Sequence, residues 1–318
     1  MSDPANQLSP AKLAQRIESS LVGWRVTRLR ESLRGPVAIV TAGTLRACAE
    51  LWARAHEASG HPSWVLSPYE FIERGVPDGT HLLFLSRSGR HHDLLAAARH
   101  AKRLRVPAHA VVSDGSSPLV SMLRQDAPEN GVLVLEFPEE FTGQPALRAA
   151  SFAVLIASMY GRGGPSAQLF NPLSVRLPEA PISHLAALGV GYARAAALDL
   201  ALRCRKTRIA AATVCDAREL SHGGANPLDP ATTWFVFFYN RTKAAYARRF
   251  ADRLPPETPR LMVTTEHEGV EGGVHLMAQS ARLHQLMTAP GAVTSLGMSD
   301  ANWTLPLFYL SLDETLGS

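Results

Sequence analysis

Between residues 81 and 95 the chain reads HLLFLSRSGRHHDLL. Four apolar residues, Leu82 to Leu85, run into Ser86, Arg87, Ser88, Gly89, Arg90, His91 and His92, and a helical pattern follows from Asp93. This order of residue types suits the binding of an anion. The N–H groups that open a helix have no acceptor of their own, and the helix dipole adds partial positive charge at the same point. Hydroxyls at alternate positions, Ser86 and Ser88, supply further hydrogen bonds, and Gly89 permits close approach of the backbone. Open α/β folds place their ligands at such an end of a parallel strand. A plain turn and helix cap accounts for the same Ser and Gly residues without a ligand. His91 donates to a phosphate only in the right tautomer or when protonated. Arg87, Arg90 and His92 suit an anion or a solvated surface equally.

Other residue groupings carry less chemistry. His267, His275 and His284 occur in the last third, with Glu266, Glu268 and Glu271. No pair has the H-x-x-x-H spacing of a helical zinc site, so the segment 264–275 reads as a polar loop after a strand and no metal is expected. GRGGP (161–165) lacks the Lys-Ser/Thr ending of a phosphate-binding P-loop, and GVGY (189–192) is too short for a dinucleotide fingerprint. The three cysteines, Cys48, Cys204 and Cys215, form no C-x-x-C pair, which points to a reducing compartment. Cys48 and Cys204 fall in apolar helical patterns and read as core.

The elements that must hold the Ser-x-Ser-Gly turn are legible as short apolar runs alternating with helical patterns. VAIVTAG (37–43), SWVLS (63–67), HLLFLSRSG (81–89), AHAVVSD (108–114) and GVLVLEF (131–137) read as strands. Helical patterns separate them, and an apolar helix over 144–161 closes this half. After a Gly- and Pro-rich connection (161–181) the grammar recurs. HLAALGVGY (184–192), TWFVFFYN (233–240), PRLMVTTE (259–266) and GGVHLMA (272–278) read as strands, AAATVCDARELSHGG (210–224) as helical, and 301–317 as a closing helix. Continuous apolar strands separated by helices imply parallel sheets covered on both faces. The expected fold is therefore α/β. It has a helical lead-in over 1–34, then two subdomains over 35–165 and 166–318, each a parallel sheet flanked by helices. One continuous open sheet is the alternative.

The chain has 318 residues, 46% hydrophobic and 19% charged, with a formal net charge of +4. That composition is ordinary for a globular protein. No basic arm or helix-turn-helix suggests direct binding of nucleic acid. No apolar run reaches membrane-spanning length, and the polar start MSDPANQLSPAKLAQRI does not read as a signal peptide. The expected location is the cytoplasm.

LLFLSRSGRHHDLLAAARHAKRL resembles the signature of sugar isomerase (SIS) domains, in which a strand ends in Ser-x-Ser-Gly and the loop holds the phosphate of a phosphosugar. VTAGTLRACAELWARAHE resembles the family's first strand, Gly-Thr turn and first helix, and VPAHAVVSDGSSPL the strand and Ser-rich turn after the loop. The likeness runs across most of residues 35–318. It is to double-SIS proteins: the isomerase part of glucosamine-6-phosphate synthase and stand-alone phosphosugar isomerases, deaminases and deglycases. It implies a flavodoxin-like three-layer arrangement in each half and phosphate contacts from Thr44, Ser86 and Ser88. Arg87 stands where the family often has Gln, and His91 where it usually has Thr.

Residues 189–224 resemble the segment that carries the isomerisation machinery. Glu219-Leu220-Ser221-His222-Gly223 matches the family's Glu-Leu-x-His-Gly, in which the His assists ring opening, often across a dimer interface. Proton transfer between carbons 1 and 2 of an aldose or ketose also needs a base, for which a carboxylate is suited. The family's Glu for this task corresponds to Lys206, its neighbouring Lys to Arg203, and an earlier Glu to Asp199. Lys206 as a desolvated amine, or Glu219 or Asp199 in a rearranged site, are the ways to chemistry that remain. The other reading is a non-catalytic sensor or scaffold for a phosphorylated sugar or another anion. The chemistry implied needs neither metal nor organic cofactor, and a homodimer is the partner the resemblance implies.

Overall fold

The computed structural model describes residues 23–126, 131–135, 145–161, 177, 182–216, 219–220 and 228–288. The first half is built on a five-stranded parallel sheet of β1 (Val37–Thr41), β2 (Ser63–Leu66), β3 (His81–Ser86), β4 (Ala108–Val112) and β5 (Val132–Val134), in the order β2-β1-β3-β4-β5. Its helices are α1 (Gly23–Ser32), α2 (Arg46–Ala58), α3 (Pro68–Arg74), α4 (His92–Leu104), α5 (Pro118–Asp126) and α6 (Pro145–Tyr160). The second sheet contains β6 (His184–Gly189), β7 (Ala211–Cys215), β8 (Thr233–Asn240) and β9 (Arg260–Thr265), all parallel, in the order β7-β6-β8-β9. Helices α7 (Ala193–Thr207), α8 (Ala244–Ala251) and α9 (Gly269–Thr288) belong to this half.

The interior strands β1, β3, β4, β6 and β8 are largely apolar and buried because both faces of each sheet are covered there, while β2, β7 and β9 at the edges are partly exposed. Alternate residues go to different layers. Val37, Ile39, Leu83 and Leu85 of the first sheet pack into one core together with Leu185, Ala187, Trp234 and Val236 of the second. Helices α2, α6, α7 and α9 fill the space between the two sheets and contribute to that core. Ala38, Val40, Leu82 and Phe84 face the other way, against Phe71, Leu94 and Leu119 of the outer helices α3, α4 and α5. Phe235, Phe237 and Tyr239 likewise face α8. The two halves are thus two sheets sharing one central helical layer.

Within that layer α2 and α7 run antiparallel. The Tyr192 hydroxyl, just before α7, donates to the carbonyl of Arg54 near the end of α2, at 3.4 Å. Asp199, at the middle of α7, and Arg203, in its second half, act electrostatically on Cys48 in the first turn of α2. The C-terminal half of α7 therefore comes to the edge of the first sheet where β1 and β3 end, and it packs on the short turn Gly43–Leu45.

Two elements differ from the sequence reading. Residues 211–215, expected to be helical from their alanines, form the edge strand β7, where pairing with β6 outweighs helix propensity. GGVHLMA, expected as a strand, lies inside α9, with Val270, Val274, Met277, Ala281 and His284 buried at helical spacing. A short apolar run does not by itself distinguish a strand from part of a buried helix. His275 accordingly stands on a helix and not in the polar loop expected over 264–275. The expected closing helix over 301–317 and nearly all of the connection over 161–181 lie outside the described residues.

Candidate functional site

In the first sheet β1 connects outward to β2, while β3 connects to β4 on the other side. The carboxyl ends of β1 and β3 therefore flank a topological switch point, where the two following loops diverge and leave a crevice. Thr44 lies in the 3-10 turn after β1, and Ser86 to His91 form the loop after β3. The Thr41 hydroxyl donates to the carbonyl of Leu85 at 2.9 Å and ties the two strands together beneath the crevice. The structure thus brings Thr44, Ser86, Arg87, Ser88 and His91 to one edge of one sheet.

The β3 loop is fixed before any ligand arrives. The buried Ser86 hydroxyl accepts from the N–H of Gly89 at 3.0 Å, and the Ser88 hydroxyl accepts from the N–H of Arg90 at 3.3 Å. Each hydroxyl keeps its own proton to donate. Gly89 has φ +60°, and a Cβ there would overlap Ser117 Oγ and lie 2.6 Å from Ser117 Cβ. Only glycine meets both demands at this position. The next loop straps this one down: Ser113 N–H donates to Arg87 O at 2.9 Å, and Leu119 N–H to Gly89 O at 3.2 Å.

The basic side chains divide into two groups. Arg90 is turned to the neighbouring loop, where it pairs with Asp114 at 3.0 Å. Hydrogen bonds from the Ser116 hydroxyl and N–H, together with Arg90, hold the Asp114 carboxyl below its ordinary range. Arg87 is exposed beside the crevice. His91 is the N-cap residue of α4 but makes no side-chain cap bond, and its Nδ1 lies 3.8 Å from Asp93 Oδ2.

Helix α7 carries a buried polar group toward the same edge. Asp199 is fully buried, and its Oδ2 accepts from Arg203 Nε at 2.7 Å and from the Ser280 hydroxyl of α9 at 2.8 Å. Its other oxygen is buried without a hydrogen-bond partner among the described residues. Two turns on from Asp199, Thr207 Oγ1 meets His284 Nε2 at 3.0 Å. Burial, with the positive charge of Arg203, pushes the His284 pKa down to about 4. Lys206 is exposed near the end of the helix.

Glu219 is elsewhere. It accepts from the N–H of Asp216 at 2.8 Å while its own N–H donates to Asp216 Oδ1 at 2.8 Å, a reciprocal cap. Its carboxylate lies 3.6 Å from Arg194, in the first turn of α7. From Arg194 to Lys206 is roughly 18 Å at the helical rise, so one chain does not bring Glu219 and Lys206 together. His222 lies outside the described residues.

The second sheet has the same strand order around β6 and β8, and Asn240, Arg241, Thr242 and Lys243 follow β8 as Ser86 to Gly89 follow β3. There the donors are already taken. Glu268 accepts from the N–H of Thr242 at 3.1 Å, from its hydroxyl at 3.3 Å, and from the Asn240 side-chain amide. An internal carboxylate stands in for an anion in this loop, which leaves the β3 loop as the open one. Neither Glu268 nor Asp114 was legible as a site residue in the sequence. Their loops meet their partners only through the strand order, although the polar run Ser113 to Ser117 at a strand end was a signal.

No protein-family model matches the sequence, and no curated protein sequence does either. Solved structures do match the fold. Glucosamine-6-phosphate deaminase from Thermotoga maritima superposes with a TM-score of 0.67 at 15% identity, covering 89% of this chain and 92% of that one. The chain has the double-SIS fold. Tagatose-6-phosphate ketose/aldose isomerase from Escherichia coli matches this double-SIS chain with a TM-score of 0.63 at 15% identity, over 93% and 97% of the two chains. The C-terminal domain of glucosamine-fructose-6-phosphate aminotransferase from Francisella tularensis matches it at 0.60 and 13% identity, over 89% and 97%. Among the described residues no group of three His, Cys, Asp or Glu side chains is placed to hold a metal ion, and no helix is long and apolar enough to cross a membrane.

Proposed function

We propose that this double-SIS chain binds a phosphorylated sugar in the crevice between Thr44 and the β3 loop. Ser86, Ser88 and Thr44, with the N–H groups that open α4, hold the phosphate, and Arg87 and His91 add charge at its rim. The observation that carries this reading is the loop itself: two fixed hydroxyls and an obligatory glycine at the switch point of a parallel sheet. The named activities of the structural neighbours support the same ligand class, since each acts on a hexose 6-phosphate or its amino form.

Any chemistry would be ring opening followed by proton transfer between carbons 1 and 2, in the manner of an isomerase, deaminase or deglycase. Its groups are Lys206 and the buried Asp199 beside the crevice, with Glu219 and His222 reaching a neighbouring chain's crevice in a homodimer. The roughly 18 Å between the two ends of α7 favours that second copy over a rearrangement within one chain. A sensor that binds without turnover is the second reading. It is favoured by an exposed amine at position 206 and by the commitment of the Glu219 carboxylate to a helix cap.

Proton NMR in heavy water, with a panel of hexose 6-phosphates and their 2-amino forms, separates the two. Saturation transfer to a sugar with loss of its carbon-1 or carbon-2 proton signal is the outcome for an enzyme. Saturation transfer alone makes the chain a sensor, and neither signal removes phosphosugars as its ligands.

A further inference from the structure

A second polar cavity opens at the opposite edge of the first sheet, where the strands begin. It encloses about 290 Å³ between the last turns of α1, the end of α2, His61 ahead of β2, and Tyr160 at the end of α6. Its floor is a closed hydrogen-bond chain. Trp52 Nε1–H donates to the Tyr160 hydroxyl at 3.1 Å, the hydroxyl meets His56 Nδ1 at 3.0 Å, and His56 Nε2 meets the carbonyl of Gly35 at 2.8 Å. A carbonyl only accepts, so Nε2 carries the proton and Nδ1 takes the one from Tyr160. The imidazole is thereby fixed in one neutral tautomer, and burial pushes its pKa down.

Above this floor stand cations that the floor does not use. Arg30, in the last turn of α1, and Arg34, two residues beyond its end, both line the cavity. Two like charges lining one cavity repel. Among the described residues neither guanidinium has an ion pair or a side-chain hydrogen bond. Arg30 instead lies 6.0 Å from the centre of the Tyr160 ring, and the His61 ring lies 5.2 Å from that of His56. Glu31 is the one carboxylate on the lining, so two guanidiniums face a single acid.

From this geometry we infer that the cavity binds a small organic phosphate between Arg30 and Arg34, over the Tyr160–His56 floor. Paired guanidiniums match phosphate oxygens in a bidentate manner, and a dianion between them removes their mutual repulsion. The size of the cavity suits a small metabolite and not a macromolecule. It is a different site from the β3 crevice. Helix α2, with 13 residues, separates the two edges by roughly 20 Å. The inference does not rest on the phosphosugar reading of the crevice.

The test is calorimetric titration with inorganic phosphate, paired with ³¹P NMR line broadening, on the full chain. In Ser86→Ala/Ser88→Ala, which disables the crevice, one phosphate per chain is still expected. Adding Arg30→Gln/Arg34→Gln to that background is expected to weaken the remaining binding at least about tenfold, while Arg30→Lys/Arg34→Lys retains part of it. Circular dichroism and the unfolding midpoint report whether each variant folds. If the Ser86/Ser88 variant binds no phosphate, or if the added Gln substitutions leave its binding unchanged, the inference is overturned. Arg30→Gln/Arg34→Gln in the otherwise unaltered protein reports the crevice alone, so failure of the crevice reading shows separately.

Discussion

At the scale of single residues, the β3 loop depends on Gly89 and what lies under it. Gly89→Ala must hold a left-handed φ and push a Cβ into Ser117. The expected result is a stability loss of about 2 kcal/mol with loss of phosphate binding, read from denaturant unfolding and from titration. Ser117→Ala should behave in the opposite way. The Ser117 hydroxyl is fully buried and has no hydrogen-bond partner among the described residues. Removing an unsatisfied buried group is neutral or stabilising, by up to about 1 kcal/mol. A clear loss of stability would mean that the hydroxyl has a partner, such as a trapped water. Lys206→Glu is the matching question for chemistry. The side chain is exposed, so the swap should change stability by no more than about 0.5 kcal/mol. It should create or raise proton exchange at carbon 1 or 2 if the crevice is otherwise complete. Unchanged exchange with ligand still bound favours the sensor.

At the scale of elements, a buried ion pair within α7 is tied to α9 by the hydroxyl of Ser280. Asp199 holds Arg203 on its own helix and Ser280 on the other, in a place where neither charge reaches water freely. Asp199→Ala leaves the guanidinium buried without its counter-ion and should cost about 3–5 kcal/mol. Asp199→Leu/Arg203→Met, which removes both charges, should cost far less than the sum of its two single changes. An additive double-mutant cycle in urea unfolding would mean that the two buried charges do not stabilise one another. The sequence shows why such elements were legible to different degrees. β1, β3, β4, β6 and β8 announced themselves by continuous apolar runs ended by polar turns. The Ser-x-Ser-Gly loop was legible because its chemistry is local. β7 was not, since five residues rich in alanine become a strand only by pairing with β6. α9 was misread because its glycines and its short apolar run mimic a strand, and only burial on three neighbouring helices reveals its 3.6-residue period. Glu268 and Asp114 were hidden because their roles come from strand order.

At the scale of the whole molecule, the shared central layer makes the two sheets one cooperative body. Residues of β1, β3, β6 and β8 belong to the same core, so neither sheet keeps its inner face covered if the helices between them melt. Acid should expose this. Burial pushes His109, beside the first sheet's last strand, and His275 and His284, on α9, from the usual 6.5 down to about 4. The folded state therefore prefers each imidazole neutral. In the unfolded chain these groups take up protons as pH falls through about 6.5, while in the folded chain they do so only near 4. Their contribution to stability is fully present above 6.5 and is lost as pH falls toward 4. Urea midpoints should fall across that window, and His109→Gln should flatten the fall. Because the core is shared, the transition should stay single at every pH, with amide exchange in β3 and β8 accelerating together. If acid released the strands of one sheet while the other stayed protected, the central helices would have to belong to that other sheet alone, and the two sheets with their shared layer would not be the unit that folds.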